Sequence, residues 1–120
     1  MAVQEQRSKF TLVYAATIPV EKHKVPEHPT EKRCDYIFVE PEQQALYVEL
    51  KGSDIRSAVR QLHNTLKHIP HPRLSKLFFI IHHHCPYPAT KLAEFRREFL
   101  KQTGYRLLIE KTPHEHPLHA

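Results

Sequence analysis

Glu49, Leu50 and Lys51 place a carboxylate and an ammonium two residues apart at the end of an apolar run. Side chains alternate across a strand, so Glu49 and Lys51 leave from one face and Leu46, Val48 and Leu50 from the other. Asp35, at the start of the preceding apolar run, adds a second carboxylate. Two acids can hold a hard divalent cation, and a lysine beside them can orient or polarise a water or a phosphate. One Asp followed by Glu-x-Lys on the next strand therefore suits metal-assisted cleavage of a phosphodiester. Gly52 allows a sharp exit from the strand, and Ser53 can cap the helix that follows.

Such a site needs Asp35, Glu49 and Lys51 on one face of a hairpin. Residues 34–40 and 45–51 read as its two strands, with Pro41 to Gln44 as the turn. Pairing Glu40 with Ala45 would set Asp35 against Leu50, on the wrong face. A shifted loop or a bulge between Pro41 and Gln44 is therefore expected.

The rest of the chain supplies the frame. Residues 10–15 form a strand rich in aromatic and β-branched residues. Residues 1–8 are short and polar and read as a frayed end. Pro19, Pro26 and Pro29 mark residues 18–33 as a long exposed loop. Ile55, Ala58, Val59, Leu62, Leu66 and Ile69 recur at helical spacing, and Pro70 ends that helix. Arg56, Arg60, His63 and Lys67 share one flank of it, while Asp54, Gln61, Thr65 and His68 share the other. Residues 74–82 are apolar on both faces and read as a central strand. A second helix over residues 90–102 stops at Gly104, and residues 105–110 form the last strand. The order strand, strand, strand, helix, strand, helix, strand requires crossovers, so the sheet is partly parallel. The expected fold is α/β, a mixed central sheet flanked by helices, with one domain over residues 1–112. Residues 113–120 form a His-rich tail expected to be disordered.

Composition bounds the function classes. The chain has 120 residues, 40% of them hydrophobic, which fits one core. Lys and Arg number 18 against 13 acids, a net charge of +5 that favours a polyanionic partner. No apolar run approaches membrane-spanning length, and the N-terminus lacks the order of a signal peptide. A cytoplasmic location is expected, with Cys34 and Cys85 as free thiols. The run His82, His83, His84 matches no zinc spacing, because neighbours on a strand point to opposite faces. Neither a Gly-rich phosphate loop nor a serine nucleophile elbow is present.

The pattern Asp35, then Glu49-Leu50-Lys51 on the next strand, then a helix and another strand, resembles the PD-(D/E)XK nuclease superfamily. The resemblance spans residues 34–82 and implies a restriction-endonuclease-like fold. It implies Mg²⁺ or Mn²⁺ on Asp35 and Glu49, and Lys51 acting on the attacking water. One branch of that superfamily carries a Gln on the following helix, a position Gln61 could fill; Thr65 stands where that branch has Tyr. Gln61→Ala is expected to spare stability and weaken activity. Cys34 replaces the motif's proline. The superfamily opens with a helix carrying a further acid, so a truncated N-terminal helix with Glu5 is expected, or a partner protein that completes this region. The implied activity is divalent-metal-dependent endonuclease cleavage, of DNA rather than RNA, with two copies pairing to cut both strands. Arg33, Arg56, Arg60 and Lys67 are the candidate nucleic-acid contacts, with Lys22, Lys24, Lys32 and His63 adding to the field. The alternative is a non-catalytic subunit of the same fold that binds nucleic acid or a partner protein. The structural alternative for Glu49 and Lys51 is an edge strand whose charges block aggregation.

Overall fold

The computed structural model describes residues 1–5, 7–51 and 54–118. The predicted roles of Gly52, Ser53 and His119 lie outside them. The chain forms β1 (Ala2–Glu5), β2 (Ser8–Val13), β3 (Glu21–Lys24), β4 (Tyr36–Glu40) and β5 (Gln44–Lys51). It continues as α1 (Ile55–His68), β6 (Ser75–His82), α2 (Ala89–Thr103), β7 (Arg106–Lys111) and β8 (His114–Pro117). The class is α/β, built on two mixed sheets.

The larger sheet has the order β3-β4-β5-β6-β7. β3, β4 and β5 run as an antiparallel meander, and β5, β6 and β7 are parallel. Each parallel step is bridged by a helix, as a parallel connection requires. The alternation along β5 sorts the two cores. Ala45 and Tyr47 pack with Ile55, Ala58 and Leu62 of α1 and Phe95 and Phe99 of α2. Leu46, Val48 and Leu50 pack instead with Val3, Phe10, Leu12 and Leu118. Both helices thus cover one face, and the smaller sheet β1-β2-β8 covers the other. The ring of Phe10 ties these sheets, 5.0 Å from Phe79 and 5.6 Å from Phe38 between centroids.

Three expectations are corrected here. No helix forms at the N-terminus. Residues 2–5 pair antiparallel with β2, and the terminal ammonium donates to the Leu12 carbonyl at 3.0 Å. Val3 buries its side chain there, and the short segment gains more from joining a sheet than from forming a helix of one or two turns. The loop over residues 18–33 contains an edge strand, β3, whose four side chains Glu21, Lys22, His23 and Lys24 are all exposed. Its charges guard that edge against further pairing. The tail is no loose end through Leu118: β8 lies parallel to β2, with Phe10 opposite His114 and Val13 opposite Pro117. Histidine rings half-buried against Phe79 let a polar-looking segment join the core.

The helices end as their residues dictate. Asp54 is the N-cap of α1, accepting a hydrogen bond from the Ser57 amide at 3.0 Å. Gly104 closes α2 at a φ of 78° that a β-carbon would resist. Among the described residues no helix is long and apolar enough to cross a membrane.

Leu118→Ala tests the tail. It should cost roughly 2–4 kcal/mol in urea unfolding, as a buried deletion does. An unaltered transition midpoint would return residues 113–118 to a loose tail.

Candidate active site

Site geometry begins at the hairpin turn. Glu40 pairs with Gln44, not Ala45, so the loop is three residues long. The Gln43 amide donates to the Glu40 carbonyl at 3.0 Å, and Glu42 takes a φ of 64°. Pro41 followed by a residue at positive φ is the backbone of a type II turn. The expected shift is therefore present, at the cost of a glutamate where glycine would be easier. Tyr36 then faces Val48, and one further step sets Asp35 beside Glu49. Glu49 and Lys51 share the face that carries Tyr47 and the helices, and Asp35 stands just before β4 within reach of Glu49.

Asp35 leaves the regular ladder here. Its Oδ2 accepts a hydrogen bond from the Leu50 amide at 2.8 Å, and its carbonyl accepts one from the Val25 amide at 2.9 Å. Its side chain lies within hydrogen-bonding reach of both Glu49 and Glu5, the last residue of β1. Three acids therefore meet, Glu5 from β1, Glu49 from β5 and, between them, Asp35 from the segment before β4. Glu49 is only 1% exposed, while Asp35 and Glu5 are half-buried. Its Oε2 lies 3.3 Å from Lys51 Nζ, while its Oε1 is buried with no partner.

Burial, and then the Asp35 carboxylate, push the Glu49 carboxyl up to about 9, against the opposing pull of Lys51. Glu5 is also raised, first by its hydrogen bond to Asp35 and then by burial. Acids this close must share protons or a cation. That requirement, with the free buried Oε1, fits a divalent ion held by Asp35 and Glu49 together with waters, as Mg²⁺ is commonly bound. No group of three or more His, Cys, Asp and Glu side chains forms a ready-made ion cage among the described residues.

Asp35 and Glu5 open onto a cavity of about 310 Å³, also lined by Lys24, Glu27, Lys32, Arg33 and Gln61. Its outer wall is the segment between β3 and β4, fastened to α1 at four places. The Cys34 amide donates to Thr65 Oγ1 at 2.7 Å, and Gln61 Nε2 to the Arg33 carbonyl at 3.0 Å. Asn64 Nδ2 donates to the Lys32 carbonyl at 2.9 Å, and His68 bonds Glu31. Gln61 does reach the site region, but as a buried strut.

The basic candidates divide. Arg33 lines the cavity, with its Nε buried and unpartnered. Arg56 stacks over Phe95 of α2 at 5.8 Å, and His63 of the same flank packs 4.8 Å from Phe99. That flank of α1, which also carries the exposed Arg60 and Lys67, turns toward α2; the Gln61 flank turns toward the carboxylates. Lys24 and Lys32, seen in the sequence only as a diffuse field, are brought to the cavity instead. His82, 8% exposed, stands opposite Lys51 on β6, and burial lowers its basicity. Its only sequence signal was a place at the end of a central strand beside the Glu-x-Lys strand.

No family model matches the chain, and neither the curated proteins nor the solved structures yield a match.

Two outcomes follow from this geometry. Between the ordinary glutamate value of 4.5 and about 9, folded Glu49 keeps a proton that the unfolded chain releases. Its contribution to stability is thus full below 4.5 and falls as pH rises toward 9. In a chelator, Glu49→Gln should gain on the wild type across that window by on the order of 1 kcal/mol, roughly 3–6 °C in thermal unfolding. Parallel wild-type and variant profiles would contradict it. Gln61→Ala, contrary to the sequence-based expectation, should cost roughly 1–3 kcal/mol by stranding the Arg33 carbonyl, measured by denaturant titration.

Proposed function

We propose that the protein is a small divalent-metal-dependent nuclease of the PD-(D/E)XK type with a restriction-endonuclease-like core, hydrolysing phosphodiester bonds in nucleic acid, DNA in the first instance. The observation that carries this reading is the register that sets Asp35 beside Glu49, with Lys51 Nζ 3.3 Å from the Glu49 carboxylate. Hairpin, helix and parallel strand follow in the order that the sequence resemblance implies, which supports it further.

Asp35 and Glu49 would hold Mg²⁺ or Mn²⁺, an ion that supplies positive charge to a phosphoryl oxygen and makes a water more acidic. The Leu50 amide fixes one oxygen of Asp35, so the ligand is oriented before an ion arrives. Deprotonation of Glu49 accompanies metal binding, which makes affinity rise with pH. Lys51, only 13% exposed, places its ammonium beside the carboxylate where charge builds on the attacked phosphate. Gln61 holds the cavity wall at Arg33.

A second reading, a nuclease-fold subunit that binds without cutting, draws on the burial of Glu49 and its pairing with Lys51. Both features would keep a non-catalytic carboxylate neutralised without metal.

Three variants separate the readings. Glu49→Gln and Asp35→Asn should abolish nicking of plasmid DNA and weaken Mn²⁺ binding in calorimetry. Lys51→Ala should lower cleavage roughly 10²-fold or more while retaining the ion, since it removes charge from the attack and not from the ligand set. Wild-type protein that binds no Mn²⁺ and cuts neither DNA nor RNA would favour the non-catalytic reading.

A further inference from the structure

We infer that the site takes a single nucleic-acid strand rather than a continuous duplex. The inference rests on the nuclease reading and adds the form of its substrate.

The chemistry is recessed. Asp35 and Glu5 stand in the wall of a cavity of about 310 Å³, and Glu49, against Asp35, is 1% exposed. A phosphate must enter this space to approach the carboxylates; grazing the surface does not suffice. Four bonds from Cys34, Arg33, Lys32 and Glu31 fasten the outer wall to α1. Duplex DNA is stiff over about 150 base pairs and keeps its phosphates on a convex cylinder. A single strand bends within one nucleotide and can present one phosphate to a concavity.

The charges agree with the shape. Lys24, Lys32 and Arg33 line the cavity together with Glu5, Glu27 and Asp35, so cations for a phosphate stand beside the acids for an ion, and Arg33 Nε is buried without a partner. Arg56 lies over Phe95, on the flank of α1 that faces α2. The helix cations therefore form no continuous track with the cavity cations along which a duplex would lie. Three cations near one strand give a shallow salt dependence, a slope of about −2 in log affinity against log salt.

The test is fluorescence anisotropy of the wild-type protein in EDTA. The probes are an end-labelled 20-nucleotide DNA single strand and a blunt duplex of the same sequence. Single-strand binding should be at least tenfold tighter. Lys32→Glu should weaken it several-fold, since only the main chain of Lys32 serves the clamp. Cleavage of the two probes in Mn²⁺ is then compared. Equal or tighter duplex binding, or equal cleavage of both probes, overturns the inference and leaves the nuclease reading standing. Single-strand preference without cleavage supports the inference on binding and overturns the nuclease reading. Binding to neither probe overturns the inference, and with no cleavage of either in Mn²⁺ it overturns the nuclease reading as well.

Discussion

β4 meets β5 with Glu40 opposite Gln44, and the approach of Asp35 to Glu49 depends on that register. A slip of one residue would turn Asp35 toward the Leu50 side, where the smaller sheet packs. The turn that prevents this places Glu42 at a φ of 64°, a conformation that glycine adopts more easily. The apolar faces then enforce the register. Ile37 and Val39 must meet the helices, while Phe38 must meet Phe10, and a slip of one residue would reverse both.

Burial makes the acid cluster chemically distinctive. Exposed glutamates two strands apart would ionise independently and mean little. Here the Glu49 carboxyl is pushed up to about 9 because burial and Asp35 both oppose its charge, and Lys51 offsets them only in part. The cost of holding this group inside a domain whose net stability is only several kcal/mol is considerable. Shared protons relieve it at low pH, and a divalent ion would relieve it at higher pH. The same burial would strengthen electrostatic contacts with any charged group that entered the site.

The two flanks of α1 have divided their labour. One, through Gln61, Asn64, Thr65 and His68, fastens the segment that walls the cavity. The other, through Arg56 and His63, rests on α2. A helix pinned on both sides and buried below by Ile55, Ala58 and Leu62 is a rigid support. Precision at the carboxylates therefore comes from strands and a clamped loop, not from a mobile lid.

Periodicity alone determined the two helices, four of the five strands of the larger sheet, their partly parallel order, and the shared face of Glu49 and Lys51. Local pattern decides these features, because apolar spacing selects the element and its buried side. Even the altered hairpin turn was legible, since chemistry and pleat together left one workable register. Tertiary structure alone decided what lies against each face. Residues 2–5 and 114–117 look polar and short, and become strands only because β2 offers them edges. Gln61 reads as a site residue whose loss would spare stability until the β3–β4 segment folds over it. Arg56 reads as a phosphate contact until Phe95 arrives beneath it. Glu5 joins Asp35 only when the smaller sheet docks on the larger. Each outcome depends on contacts between residues distant in the chain, and no local pattern records which partner will cover a given side chain.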